Sequence, residues 1–345
     1  MHRKCHRGDG YSGWSALVLT ALASVSGAVH RVQHRLAAAR SQSSPPGESF
    51  AERKRFATMT RTIKGAEIAR HIRSQVEERV RQASAGGRVP GLATILVGDD
   101  PASVVYVAAK RRAIREAGMR DIHRHLPHDS SQADVATVID ELAADPDVHG
   151  ILLQLPLPAQ LGAAQLIDRI PVTKDVDGLT TASSVLLARG ERGLRPCTPS
   201  GIIELLDAEG IQLQGSCIAV VGWGELVGRP LVQLLLRRGA TVTVAHEFTA
   251  DLPSVTRPAD VVVAATGVRG LIGPEHIKPG ATVIDVGIHR TSEGLTGDVR
   301  AAELDGIASR ITPVPGGVGP MTIAMLLVNT LQAAEWAAER EAVPA

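Results

Sequence analysis

Short apolar runs, each closed by glycine or proline, alternate with amphipathic stretches of helical length through residues 63–341. That alternation limits the fold more than any single residue does. A strand that is apolar on both faces needs cover on both, and helices crossing over between parallel strands supply it. Ile68, Ile72, Val76 and Val80 recur every four residues and predict a helix from Ile63 to Val80, which Gly86-Gly87 and Pro90-Gly91 break. Leu92 to Val97 reads as a buried strand running into the turn residues Gly98-Asp99-Asp100-Pro101. Helices are expected over Ser103 to Ala117 and Val135 to Ala143, and a strand over Gly150 to Leu155, cut by Pro156 and Pro158. After Pro196 the pattern starts again. Helices are expected at Ile202 to Glu209, Leu231 to Arg238 and Thr322 to Glu341. Strands are expected at Cys217 to Val221, Thr241 to Ala245, Val261 to Ala265 and Thr282 to Val286. No repeat of fixed period is visible. The expected fold is α/β with mainly parallel sheet.

At 345 residues the chain is too long for one small core, and a prior of about 150 residues per domain suggests two. Aromatic residues make up only 2% against 44% apolar, so the cores must be built from Val, Ile, Leu and Ala. The 37 basic and 36 acidic side chains nearly cancel, which gives no bulk attraction to nucleic acid or to an anionic membrane. Cys5, Cys197 and Cys217 are scattered and odd in number. They support neither a disulfide framework nor a zinc site, and a reducing compartment such as the cytoplasm fits them. Residues 1–58 stand apart: a basic start, an apolar stretch from Trp14 to Val29, then an Arg- and Ser-rich segment. The apolar stretch is short and interrupted for a membrane span, and it imitates a secretory signal. A start placed too early, a targeting peptide and a disordered extension all fit. The globular pattern that opens at Met59 favours the first.

Gly222-Trp223-Gly224-Glu225-Leu226-Val227-Gly228 lies between an expected strand and an expected helix. Glycines there allow a tight turn and close approach of backbone to a pyrophosphate, which the N-terminus of the next helix then favours. The spacing is G-x-G-x-x-x-G rather than G-x-G-x-x-G, so a ligand-free turn remains an alternative. Glu247, just past the next strand, stands where a carboxylate receives ribose hydroxyls.

Other segments have no evident use as scaffold. Tyr106 and Lys110, four apart, share one face of a helix. Alone, they read most simply as a packed tyrosine beside a solvated lysine. Gln154 ends an apolar strand, Lys174-Asp175-Val176-Asp177-Gly178 could be a solvated turn, and the rigid run Thr312 to Pro320 is no ordinary linker. Together with PGLATILVGDDPAS, YVAAK, GILLQLPLP, KDVDG, RPCTPSGI, LVGRPL, ATVTVAH, VIDVGI and ITPVPGGVGPMT, in that order between about Ile63 and Leu331, they resemble the methylenetetrahydrofolate dehydrogenase/cyclohydrolase family.

The resemblance implies a homodimer of two-domain α/β subunits with a cleft between the domains. A catalytic domain would occupy residues 59–195, a Rossmann-like NAD(P)-binding domain residues 196–317, and the C-terminal helix within 318–345 would fold back on the first. It implies oxidation of 5,10-methylenetetrahydrofolate by NADP or NAD, then hydrolysis to 10-formyltetrahydrofolate, in the one-carbon chemistry that feeds purine biosynthesis. By position, Lys110 matches the family's catalytic lysine, whose amine, once neutral in a partly buried site, exchanges protons with water and folate nitrogens. Gln154 matches the glutamine that bonds that lysine, Tyr106 a tyrosine of the folate pocket, and Asp177 the aspartate that receives the pterin ring. Pro313 to Gly317, with Gly316 and Gly317, match the loop bordering the folate. Gly222, Trp223, Gly224, Gly228, Glu247 and Ile288 match the nucleotide contacts. No metal cluster is expected.

Two departures bear on the cofactor. Many relatives read Gly-Arg-Ser at 222–224, and many carry Ser or Arg where Glu247 stands. Both changes remove partners for a 2′-phosphate, so use of NAD is expected beside the family's usual NADP. Two rival readings are another Rossmann enzyme of the shikimate dehydrogenase type and a cyclohydrolase or folate-binding protein whose nucleotide site Trp223 obstructs.

Overall fold

In the computed structural model, which describes residues 59–342, the alternation resolves into two parallel sheets and one small hairpin. The extension expected over residues 1–58 lies outside the described residues. The chain enters with β1 (Arg61–Thr62) and α1 (Gly65–Ala85). Then come β2 (Gly91–Val97), α2 (Pro101–Glu116), β3 (Arg120–Leu126), α3 (Gln132–Ala144) and β4 (Gly150–Leu153). β2 is the middle strand of a three-stranded sheet ordered β3-β2-β4, all parallel. Every residue of β2 and β4 is buried, whereas β3, at the edge, is mostly exposed or half-buried. This is why its sequence, RDIHRHL, carries no apolar run, and why no strand was expected there.

Two short helices, α4 (Ala163–Ile167) and α5 (Thr181–Arg189), lead to α6 (Cys197–Ala208). The second alternation follows: β5 (Cys217–Val221), α7 (Gly228–Arg237), β6 (Thr241–Ala245), α8 (Leu252–Thr256), β7 (Val261–Ala264) and β8 (Thr282–Asp285). A hairpin, β9 (His289–Thr291) and β10 (Gly294–Thr296), then β11 (Arg310–Ile311) and α9 (Val318–Ala342), close the chain. The larger sheet has six parallel strands ordered β1-β11-β8-β7-β5-β6. Thus β1, from the first part of the sequence, is completed by the second. The connection order reverses between β5 and β7, the switch point where such sheets open a crevice beyond their strand ends.

The cores are aliphatic. One gathers Val220, Leu231, Val263 and Ile284 with Ile202, Leu205 and Met321 between the larger sheet and its helices. Another joins Leu92 and Leu152 to Leu326, Leu327 and Leu331 of α9 and to Val76 and Val80 of α1. Each large side chain so buried contributes about 1.5–3 kcal/mol. The last helix is therefore part of the core beneath the smaller sheet.

Candidate active site

At the C-terminal ends of β2 and β4, local chemistry fixes the helix that carries Tyr106 and Lys110. Asp100 caps α2 by accepting from Ser103 N at 2.8 Å, and Pro101 opens the helix where its missing N–H is not needed. On the far face, Asp121 of β3 receives Arg111 Nε at 3.1 Å and Arg115 Nη1 at 2.6 Å, tying the helix to the sheet. Lys110 is only 9% exposed, so it is not the solvated lysine of the simpler sequence reading. Its Nζ donates to Gln154 Oε1 at 3.1 Å, while Gln154 N bonds Ile95 O of the neighbouring strand at 2.9 Å.

The segment from Lys174 to Gly178 runs beside β4, with Ile151 N donating to Lys174 O at 2.8 Å. It is not a solvated turn. Lys174 Nζ caps the end of α3 through Ala143 O and Asp145 O, both at 2.8 Å. Asp175, 1% exposed, accepts from Gly178 N, Thr180 N and Ser183 Oγ at 2.9, 2.8 and 2.6 Å. Both charged neighbours are thus spent on the scaffold, whereas Asp177 meets the Cys197 thiol and the Lys110 cation. Burial pushes the Asp177 carboxyl above its ordinary range, the Lys110 cation pulls it back, and Asp175 adds to the rise. Beneath it, the Cys197 thiol donates to Val176 O at 3.2 Å, and burial holds that thiol protonated well past its usual range. Asn329 of α9 donates to Val176 O and Arg195 O, both at 2.8 Å. Sequence reasoning missed Asn329 because it sits within an apolar helical run and carries no motif of its own.

A cavity of about 190 Å³ brings Tyr106 together with Pro313, Gly316 and Gly317 and with Asp285 and Ile288 at the end of β8. Ile288, expected among the nucleotide contacts, lines this cavity rather than the one at the glycine loop. Tyr106 is 41% exposed and lies one helical turn from Lys110, so α2 links this cavity to the Lys110–Gln154–Asp177 group.

A larger cavity, about 750 Å³, opens at the switch point and is lined by Gly222, Trp223, Gly224, Glu247 and Thr266. The register explains the grouping: Val221 pairs with both Ala245 and Ala264, so the three loops leave the sheet side by side. Gly222 has φ +111°, and a Cβ there would lie 2.0 Å from Ala265 O; a Cβ on Gly228 would lie 2.0 Å from Gly222 O. These two glycines let the loop fold onto itself. Gly224 differs, since a Cβ there would meet no protein atom within 4 Å, leaving bare backbone beside open space. Trp223 is 41% exposed at the wall and does not close the cavity. Arg229, which the sequence reading passed over, also lines it, but its guanidinium is engaged: Nη1 lies 3.0 Å from Glu225 Oε1, Nε donates to Trp223 O at 3.2 Å, and the group sits 5.8 Å from the Trp223 ring centroid. Bare backbone, a helix N-terminus and an acceptor at Glu247 suit a dinucleotide.

Two family models match the chain: tetrahydrofolate dehydrogenase/cyclohydrolase, catalytic domain, over residues 63–177, and tetrahydrofolate dehydrogenase/cyclohydrolase, NAD(P)-binding domain, over residues 196–338. A relative from Frankia alni named bifunctional protein FolD 2 is 60% identical over 278 residues, which is 80% of this chain and 96% of that protein. The crystal structure of bifunctional FolD, methylenetetrahydrofolate dehydrogenase/cyclohydrolase, from Campylobacter jejuni is 41% identical with a TM-score of 0.79, covering 80% of this chain and 99% of that one. The Trypanosoma brucei dehydrogenase-cyclohydrolase, complexed with NADP cofactor and inhibitor, is 36% identical with a TM-score of 0.78, covering 81% and 99%.

Proposed function

The chain belongs to the tetrahydrofolate dehydrogenase/cyclohydrolase family, and from that premise we propose how its own residues divide the work. It is a bifunctional enzyme that oxidises 5,10-methylenetetrahydrofolate to 5,10-methenyltetrahydrofolate with a nicotinamide cofactor and then hydrolyses the product to 10-formyltetrahydrofolate. A bound nicotinamide supplies the hydride acceptor; the remaining chemistry belongs to the chain. Asp177 receives the amino and N–H groups of the pterin ring, a pairing that two carboxylate oxygens satisfy. Tyr106 and the Pro313–Gly317 loop border the folate. Lys110 exchanges protons with the attacking water and the folate nitrogens, and Gln154 orients its amine. The observation that carries this assignment is the half-buried Lys110–Gln154 hydrogen bond of 3.1 Å, held beside the Asp177 loop. A homodimer working in the cytoplasm completes the proposal. No helix among the described residues is long and apolar enough to cross a membrane.

For the cofactor, Gly222, Trp223, Gly224 and Glu247 border the dinucleotide, with Gly228 supporting the loop from beneath. We infer that NAD serves at least as well as NADP. Glu247 is positioned to accept from the ribose hydroxyls of NAD, whereas a 2′-phosphate would set like charge beside it. Two such charges about 4 Å apart repel by about 1 kcal/mol in water and about 4 kcal/mol at an effective dielectric near 20. Glu247 is exposed, so the lower part of that range applies. Arg229, the nearby cation, is already paired with Glu225. The test is steady-state formation of reduced nicotinamide from methylenetetrahydrofolate with each cofactor. Comparable kcat/KM values, or a preference for NAD, are expected, and Glu247→Ser should move the ratio toward NADP. A tenfold or greater preference for NADP in the unaltered enzyme would overturn the cofactor assignment.

A further inference from the structure

Two buried carboxylates, Asp285 at the end of β8 and Asp298 after β10, connect the walls of the two cavities. Asp298 is 0% exposed. Its Oδ2 accepts from Thr266 N at 2.6 Å, Thr266 Oγ1 at 2.9 Å and Gly267 N at 3.0 Å, all at the loop after β7 that walls the dinucleotide cavity. Its Oδ1 lies 2.7 Å from His289 Nε2, so that nitrogen carries the shared proton. The backbone N of Asp298 donates to Asp285 Oδ1 at 2.9 Å, and the same oxygen accepts from Gly287 N at 3.0 Å. Gly287 and Ile288 wall the cavity that holds Tyr106 and the Pro313–Gly317 loop. Asp298 is therefore bonded to one cavity wall through its side chain, and to the residues flanking Ile288 through His289 and Asp285. The packing leaves no slack: a Cβ on Gly287 would lie 2.1 Å from Asp298 Oδ1, and one on Gly297 1.9 Å from Asp285 Oδ2. A shift of either wall must move the shared carboxylate or break a bond to it, and a broken bond would strand a buried polar group.

We infer that Asp298 and His289 are positioning residues that couple cofactor binding to folate binding, by holding the Thr266–Gly267 wall and the Ile288 wall to one carboxylate. The inference rests on the assignment of the larger cavity to the dinucleotide and of the smaller one to folate. Neither side chain touches a reacting atom. Their effect is energetic linkage: a ligand that settles one wall sets the other, so each ligand binds more tightly when its partner is present, by a factor that must be equal in both directions.

The experiment is calorimetric titration of NAD alone, of tetrahydrofolate alone, and of each in the presence of saturating partner; the pair carries no methylene group and so does not react. In the unaltered protein, each affinity is expected to rise at least about fivefold with the partner bound, the low end of ordinary coupling. His289→Leu removes the donor to Asp298 from a surface hairpin. It should leave each single-ligand affinity within about threefold and lower the melting temperature by only a few degrees, the cost of one donor lost from a buried carboxylate that keeps its other bonds, while the coupling factor falls toward one. His289→Gln, which can return an N–H near the Nε2 position, should restore most of the coupling, which a loss of mere bulk would not allow. Thr266→Val, which deletes one bond from the other side, should reduce it in part. Equal coupling in His289→Leu and the unaltered protein would overturn the inference while leaving the functional assignment intact. So would a parallel collapse of both single affinities and of the melting temperature, because that marks a scaffold role. Failure of the unaltered protein to bind NAD or tetrahydrofolate at all would instead overturn the assignment of the cavities, and the inference with it.

Discussion

Lys110 illustrates how burial changes the meaning of a residue. Its spacing from Tyr106 could be read from the sequence, but its 9% exposure and its bond to Gln154 could not. A buried lysine without an adjoining anion is costly, and here the Asp177 carboxylate interacts with the Lys110 cation while the Gln154 oxygen accepts its hydrogen bond. Groups that move protons in a reaction typically contribute about 10²–10⁴-fold. Lys110→Met should therefore lower hydrolysis of methenyltetrahydrofolate by that order while leaving NAD affinity within a few-fold. Asp177→Ala should act on binding instead, raising the KM for folate more than it lowers kcat, because the pterin loses its paired acceptor. Hydrolysis by Lys110→Met within a few-fold of the unaltered rate would remove Lys110 from the proton transfer.

Among the elements, the segment before α5, the end of β8 and the loop after β10 hold the buried carboxylates Asp175, Asp285 and Asp298. Asp285 ends β8 at 2% exposure, and burial raises its carboxyl from an ordinary 3.8 to about 6 despite the bonds from Gly287, Asp298 and Val299. Neighbouring Asp298 adds to that rise. The folded chain thus holds this proton more firmly than the unfolded chain. Stability from this group is greatest below about pH 4, falls as pH rises toward 6, and is level above. The gap corresponds to about 3 kcal/mol. Asp285→Asn cannot ionise, so the difference in urea unfolding free energy between it and the unaltered protein should shift by about 2 kcal/mol between pH 4 and pH 6, against the unaltered protein. A difference that stays flat across the window would show that Asp285 ionises as an exposed carboxylate does. Elements also differed in how openly the sequence declared them. β5 and β6 were legible to the residue, since short apolar runs between glycines have few other uses. α7 begins at Gly228 rather than Leu231, because the glycine loop folds back so tightly that the helix starts at its last glycine.

For the molecule as a whole, the described fold is already anchored at its second residue. Thr60 Oγ1 donates toward Leu304 O and Ala308 O and accepts from Gly306 N, at 3.0, 2.8 and 3.0 Å, and β1 then completes the larger sheet. The matched family region begins at residue 63. A chain beginning at Met59 should therefore keep full activity and a melting temperature within a few degrees of the 345-residue chain. One beginning at Gly65 should melt markedly lower, because it loses β1 and the Thr60 bonds. Loss of activity on starting at Met59 would show that residues 1–58 contribute to the enzyme. The arrangement of residues 59–195 and 196–317 as two domains is a proposal that limited proteolysis can address. β1 and α9 each join sheets or cores drawn from both sequence ranges.

The sequence alone determined the α/β class, the parallel strands of the interior and the glycine loop, because these follow from periodicity and from backbone freedom, which are local properties. It also carried the family, through motifs kept in order. Only tertiary structure decided which side chains line a cavity and which are tied into the scaffold. Lys174 and Asp175 turn into the scaffold and Asp177 does not, Ile288 lines the smaller cavity, Arg229 enters the larger one, and Asp298 spans the two. The reason is physical. Residue type fixes what a side chain can bond, but its partners come from strands and helices brought together by burial, and burial depends on the whole chain.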